Sequence, residues 1–177
     1  MKNLLNIRIE ASRLLLVPIA ICYKQDIFRE FTYEITRYMN PEPAKDISET
    51  EEFINRSIRG LKKSDNLQLI ILDKISKEFL GCIGLHYIDK KNPELGIWLK
   101  KSAHGYKYGQ EAMKALKKWA DENLKYEYLL YPVADKNIAS RKIPELLGGR
   151  IFREYDKEVQ GGNKYHWLEY RIYSDKK

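Results

Sequence analysis

Gly105-Tyr106-Lys107-Tyr108-Gly109 is the stretch whose residue types and spacing point most directly to chemistry. It opens a helix. From Ala112 onward, Ala112, Leu116 and Trp119 recur at helical spacing with Met113 and Ala120 beside them, while Lys114, Lys117, Lys118 and Asp121 take the opposite side. No Ser, Thr, Asp or Asn stands where an N-cap is expected. The first amides of a helix have no intrahelical acceptor and sit at the positive end of its dipole, so a phosphate can take the place of a missing cap. Gly105 and Gly109 let a ligand come close to the backbone, and Lys107 adds a charge. On the local pattern alone, a plain turn with two permissive glycines is the competing reading.

The rest of the chemistry-bearing inventory is spare. Cys22 and Cys82 are the only cysteines, with no CxxC pattern, and read as two buried free thiols in a reducing compartment. His86, His104 and His166 are far apart with no i, i+4 pairing, so no metal site is expected. The 32 Lys and Arg against 25 Asp and Glu give +7, which suits an anionic partner such as a nucleotide, CoA or an RNA-containing surface. With no block of consecutive like charges, a solvated basic surface explains the excess equally well. "LLLVPIAIC" at 14–22 imitates a signal peptide, but Pro18 interrupts it and Tyr23-Lys24 follow where small residues would mark cleavage. It is too short to span a bilayer and reads as a buried strand of a cytoplasmic protein.

The elements that must position these residues follow from periodicity. A strand at 13–19 leads to a helix over 24–38 with Ile27, Phe31, Ile35 and Tyr38 as its apolar stripe, then a loop at 40–46. Ser48 caps a second helix over 48–63 with Glu51 completing a capping box, and Phe53, Ile54, Ile58 and Leu61 form its buried side. Strands at 67–73, 79–89 and 94–101 form a meander. The opening helix, a strand at 126–133, a helix over 136–147 and strands at 150–158 and 165–173 joined by a "QGGN" turn complete the chain. Pro144 cannot donate to the carbonyl of Ser140, so the helix over 136–147 is expected to be kinked or short. The order predicts one α+β domain over 1–177, a mainly antiparallel mixed sheet of six to seven strands flanked by four helices, with one βαβ-like crossover. Of the 13 tyrosines, Tyr126, Tyr128, Tyr131, Tyr165, Tyr170 and Tyr173 mostly fall on strands and read as core or strand-face packing rather than base-stacking platforms.

"GIWLKKSAHGYKYGQEAM" resembles the acetyl-CoA signature of the GNAT N-acetyltransferase superfamily, a strand ending in Gln/Arg-x-x-Gly-x-Gly/Ala before a helix. "ADKNIASRKIPELLGG" resembles the family's second block, "SRLLLVPI" its opening strand, and "ITRYMNPEP" with "SETEEFI" its first two helices. The resemblance spans nearly the whole chain and is closest to the branch of ribosomal-protein N-terminal (alanine) acetyltransferases and related amine-modifying enzymes. The chain departs from the pattern with His104 for Gln or Arg, Lys107 for the first Gly, Gly149 for Phe, and Pro144 where many relatives carry an acidic tyrosine.

The resemblance implies transfer of an acetyl group from acetyl-CoA, as co-substrate and without a metal, to a primary amine by direct attack on the thioester. It implies that the loop His104, Gly105, Tyr106, Lys107, Tyr108, Gly109 and Gln110 holds the pyrophosphate, with the amides from Tyr106 to Gln110 as donors. The edge of Ile97, Trp98 and Leu99 would pair with the pantetheine arm. Asn137 carries a donor and an acceptor for pantetheine amides, and also suits an N-cap of its own helix. Glu94, where relatives hold an acidic residue, is the candidate general base through water; an exposed strand-end carboxylate is its plain alternative. Ser140, one turn beyond Asn137, is implied to meet the departing thiolate. The acceptor is a protein N-terminus or a small molecule, with no membrane, no nucleic acid except through a ribosomal substrate, and a monomer or homodimer as the assembly. A non-catalytic CoA-binding or regulatory domain and a basic ribosome- or RNA-binding module remain the other readings.

Overall fold

The computed structural model describes residues 4–39, 41–159 and 162–175. Two uninterrupted apolar runs set the middle of its sheet. In β3 (Asn66–Asp73) every residue from Leu67 to Leu72 is buried, and in β4 (Phe79–His86) every residue from Phe79 to Leu85. Such runs form where both faces of a strand are covered. On one face lies α3 (Ile47–Lys63), burying Ile54 and Leu61, and on the other α4 (Tyr108–Asn123), burying Ala112, Met113, Leu116 and Ala120. Phe53, Ile58 and Trp119 pack partly buried against the same core.

The other strands are β1 (Ile9–Glu10), β2 (Leu14–Pro18), β5 (Glu94–Leu99), β6 (Leu129–Ala134), β7 (Arg150–Glu158) and β8 (Lys164–Ile172). They form one eight-stranded sheet in the order β1-β2-β3-β4-β5-β6-β8-β7. Neighbours are antiparallel except β5 and β6, the parallel pair that flanks the α4 crossover. The α+β architecture, the meander and the single crossover are as the sequence predicts. The eighth strand is β1, too short at two residues to show a pattern, paired through Ile9 with Leu16.

The structure differs from the sequence reading at four places. The first predicted helix is two, α1 (Lys24–Glu30) and α2 (Tyr33–Thr36), making five α-helices among the described residues with α5 (Ile138–Leu146). Its break falls at Phe31 (ψ 71°), whose ring packs 4.9 Å from that of Trp98, so a tertiary contact overrides the stripe. Helix α3 is capped by Asp46, not Ser48: the Asp46 carboxylate accepts from the Ser48 amide at 2.8 Å, and Glu49 rather than Glu51 reaches back to the Lys45 amide at 3.0 Å. Lys117 lies on no solvated face; it is buried with its ammonium 2.8 Å from both Asp121 and Asp175. Cys22 is exposed and only Cys82 is buried; both are free. Helix α5 is short, nine residues with Pro144 inside, as the proline demands. Of the "QGGN" turn, Gln160 and Gly161 lie outside the described residues, as does Asn40 of the 40–46 loop; the Val159 amide donates to the Asn163 carbonyl at 2.9 Å. Among the described residues no helix is long and apolar enough to cross a membrane, and no three His, Cys, Asp or Glu gather as metal ligands do.

Candidate functional site

The sheet opens where its only parallel pair should close. Glu94 of β5 and Leu130 of β6 are the one register pair between these strands. Just before it, the Leu130 amide donates to the Pro93 carbonyl at 2.8 Å and the Glu127 amide to the Lys91 carbonyl at 2.8 Å. Beyond that pin the strands diverge into a V. The β6-facing edge of β5 through Ile97, Trp98 and Leu99 has no strand partner among the described residues. Unpaired main-chain groups at such an edge are a template for an extended, amide-bearing ligand.

Beside the end of β5 begins α4. Its N-cap position is Lys107, in the left-handed region (φ 64°, ψ 16°), with no side-chain cap. Lysine rarely adopts that conformation, which suits glycine. Gly105 is also left-handed (φ +86°), and a Cβ there would meet open space. Within the described residues, none of the amides from Tyr106 to Gln110 donates a hydrogen bond; the Glu111 amide is the first that does, to the Lys107 carbonyl at 3.1 Å. A Cβ on Gly109 would touch Ile143, Leu99 and Ile97 at 3.5–3.7 Å, so Gly109 faces into the V. His104 is turned from the open amides, with Nε2 3.0 Å from the Leu99 carbonyl, and ties the loop to the end of β5.

Arg13 braces this loop from outside. Its amide and Nε donate to Glu111 at 2.6 and 2.8 Å, a guanidinium nitrogen donates to the Tyr106 carbonyl at 3.1 Å, and its head lies 4.6 Å from the Tyr108 ring centre. Nothing in the sequence announces a partnership across 98 positions.

On the same face as α4, α5 carries the second block. Asn137 caps it, accepting from the Ser140 amide at 3.2 Å, which leaves the Asn137 carboxamide NH2 for another acceptor. The Ser140 hydroxyl lies 2.8 Å from the phenol of Tyr131, a β6 residue at the wall of the V. Burial pushes the Tyr131 phenol up to about 12, with the Ser140 hydrogen bond opposing, so it stays protonated. By sequence Tyr131 reads as core packing, which it also is.

The opposite face belongs to a different cavity. Cys82, Gly84 and His86 of β4 pair with Trp98, Gly96 and Glu94 of β5, and cross-strand partners share a face. Phe31, Phe53, Trp98, Gln68 and Arg56 are among the walls of a cavity of about 420 Å³ over this surface, with α1, α3 and the segment between them as its roof. His86 lies at its floor. Glu94 is half-buried at the pin; burial raises its carboxyl above the usual range, Lys157 opposing and Glu169 adding to the rise. Glu169 itself accepts from Arg153 at 2.6 Å. The V thus separates two chemistries: open amides and two stacked hydroxyls on the α4–α5 face, a histidine and a carboxyl on the α1–α3 face. A thioester held in the V can meet an amine arriving from the cavity.

The residues 13–150 match the model of the acetyltransferase (GNAT) domain family. An uncharacterized N-acetyltransferase p20 from Bacillus licheniformis is 26% identical over 133 residues, covering 70% of this chain and 72% of that protein. Among solved structures, a GNAT-family acetyltransferase from Bacillus anthracis superposes with a TM-score of 0.82 at 20% identity, covering 96% of this chain and 100% of that one. An acetyl transferase from Salmonella typhimurium that modifies the N-terminal serine of a 50S ribosomal subunit protein gives 0.84 at 14% identity, over 96% and 100%. A spermidine N-acetyltransferase from Vibrio cholerae, in complex with CoA and spermine, gives 0.81 at 17% identity, over 93% and 98%.

Proposed function

Because this chain belongs to the GNAT acetyltransferase family, we propose that it transfers an acetyl group from acetyl-CoA to a primary amine, on a protein N-terminus or a small molecule, by direct attack on the thioester. The observation that carries this reading is the V between β5 and β6 with the uncapped start of α4 beside it. The residues present fit the co-substrate. Free amides from Tyr106 to Gln110 suit a pyrophosphate, Lys107 supplies a cation, and the open β5 edge at Ile97, Trp98 and Leu99 offers main-chain partners to the pantetheine arm, as does Asn137. When bound, acetyl-CoA supplies the activated acyl carbon.

The chain's own residues supply orientation and proton movement. Tyr131, kept protonated, can donate to the Ser140 oxygen, an orientation that leaves the Ser140 hydrogen for the departing thiolate. His104 and Arg13 hold the loop in shape. Glu94, on the acceptor side of the pin, is the outlet for the amine's proton.

The test is release of free thiol from acetyl-CoA with a panel of amines: peptides beginning with Ser or Ala, spermidine, and small arylalkylamines. Turnover with at least one is expected. Ser140→Ala should keep acetyl-CoA affinity and lose about tenfold in kcat, within the roughly 5- to 150-fold worth of one such hydrogen bond. A chain that binds acetyl-CoA yet releases no thiol with any amine is a binding domain. One that binds RNA in a salt-sensitive way and ignores CoA is the basic module.

A further inference from the structure

Of the three histidines, two are engaged and one is not. His104 meets the Leu99 carbonyl, and His166 bridges Glu154 and Asp156 at 2.9 and 3.0 Å, which raises its pKa. His86 has no hydrogen-bond partner among the described residues, only the Tyr87 ring edge-on at 6.5 Å, and is half-buried at the cavity floor. A ring without a partner in the protein, facing a cavity, is free to bond whatever enters it.

The backbone makes room for that ring. Gly84 and Gly96 are register partners two pairs along from His86 and Glu94, the next pair on the same face. A Cβ on Gly84 would lie 2.9 Å from His86 Nε2, and one on Gly96 would lie 3.6 Å from it. The imidazole therefore leans back over a bare glycine pair, and a side chain at 84 would displace it. This carries Nε2 along the strand from Glu94 toward Gly96, the residue just before the Ile97 edge. Burial holds the imidazolium below the usual histidine range, which leaves a lone pair free at neutral pH.

We propose that His86 takes the proton from the acceptor amine and hands it to Glu94, its cross-strand neighbour. This rests on the cavity being the acceptor's approach to an acetyl-CoA held in the V. The ammonium N–H bond breaks with its proton going to the imidazole. The freed nitrogen pair forms the bond to the acetyl carbon, the C–S bond breaks with its pair passing to sulfur, and the second proton that the nitrogen sheds goes to that sulfur, which Ser140 meets, leaving a neutral amide and a free thiol. The imidazolium returns to neutrality by giving its proton to the Glu94 carboxylate or to water. The other ionisable groups facing the cavity are Glu42, Glu49, Arg56 and Cys82. Glu49 is engaged with the Lys45 amide, and burial pushes the Cys82 thiol up, so neither competes for the role.

The experiment compares kcat/KM against pH for the wild type, His86→Gln and Glu94→Gln, using the best-turned-over amine of the panel above. Proton transfer by a placed side chain is worth about 10²- to 10⁴-fold, so His86→Gln should fall by about 10²-fold or more with unchanged acetyl-CoA affinity. It should also lose the acidic limb near the depressed histidine pKa, while Glu94→Gln keeps that limb with a smaller loss. The deficit of His86→Gln should shrink on a less basic, fluorinated analogue of the same amine, which arrives already unprotonated; a merely structural histidine gives no such rescue. A wild-type rate and profile in His86→Gln, or a limb that disappears only with Glu94→Gln, overturns the assignment. A wild type silent with every amine fails the acetyl-transfer reading itself, and the His86 role with it.

Discussion

Helices α3 and α4 are nearly equal in length, 17 and 16 residues, yet they start in opposite ways. At α3 the chain enters extended at Asp46 (φ −134°, ψ 150°), the carboxylate takes the Ser48 amide, and Glu49 takes the Lys45 amide. At α4 the chain enters left-handed at Lys107 and nothing is taken. In the left-handed conformation no side chain at the cap position reaches the amides two and three residues on, because capping uses the extended entry. The open end of α4 is therefore a property of its backbone path, and no residue at 107 would close it. Helix α5 lies between the two: Asn137 fills one amide site with its oxygen and keeps its NH2 in hand. A capped start serves folding, and an open one beside a split sheet suits a ligand.

Breaking this contrast at its open end should have the largest effect. Gly109→Glu sets a carboxylate among Ile97, Leu99 and Ile143 in the V, against the site assigned to a pyrophosphate, and calorimetry should show acetyl-CoA binding lost. Gly109→Ala, whose methyl finds ordinary contacts of 3.5–3.7 Å, is the folded control. Unchanged affinity in a folded Gly109→Glu protein would sink the anion site.

Removing the cap at the closed end should cost stability and leave binding alone. Asp46→Ala should lower the melting temperature at pH 7 with acetyl-CoA affinity unchanged. Its hydrogen bonds with Ser48 depress the Asp46 pKa, so this stabilisation is present above the unfolded-state pKa and fades as pH falls through the lower folded value. Melting curves of the two proteins should converge in that acidic range; a gap that persists there would show that the carboxylate's charge is not what α3 uses.

The smallest effect is expected at Lys107. Lys107→Gly relieves a left-handed residue, worth about 1 kcal/mol against the added freedom of the unfolded chain, so stability should hold or rise slightly. Acetyl-CoA should bind about two- to fivefold more weakly, with the loss shrinking as salt is added, because an exposed charge contact is modest and screened. Tighter binding by Lys107→Gly would mean that the lysine obstructs the loop.

The sequence made the open helix legible because a missing cap is a local fact, read over five residues. It made the meander and crossover legible because apolar runs and polar breaks carry their own period. It misplaced the α3 cap by two residues because Asp46 and Ser48 are both good caps, and the entry angle that chooses between them is not written in residue types. It carried the first helix through Phe31 because the stripe is intact, and only the Trp98 ring, far along the chain, ends it. Tyr131, Arg13 and His86 were invisible as site residues for one reason. Each owes its place to strand register or a partner from another element: Ser140 across from β6, Glu111 on α4, and the Gly84–Gly96 pair beneath an imidazole.

The pin at Glu94 and Leu130 bears on how a chain like this can change over generations. The seat on one side of the V is built from main chain: strand edge and helix amides that survive most replacements of the side chains around them. The cavity on the other side is built from side chains, such as Phe31, Phe53 and Arg56, each open to exchange one codon at a time. On the proposed function, drift in acceptor preference can thus proceed on one face of the sheet while the other keeps its grip, and descendants of a single ancestor can part company over what they modify long before they differ in what they spend to do it.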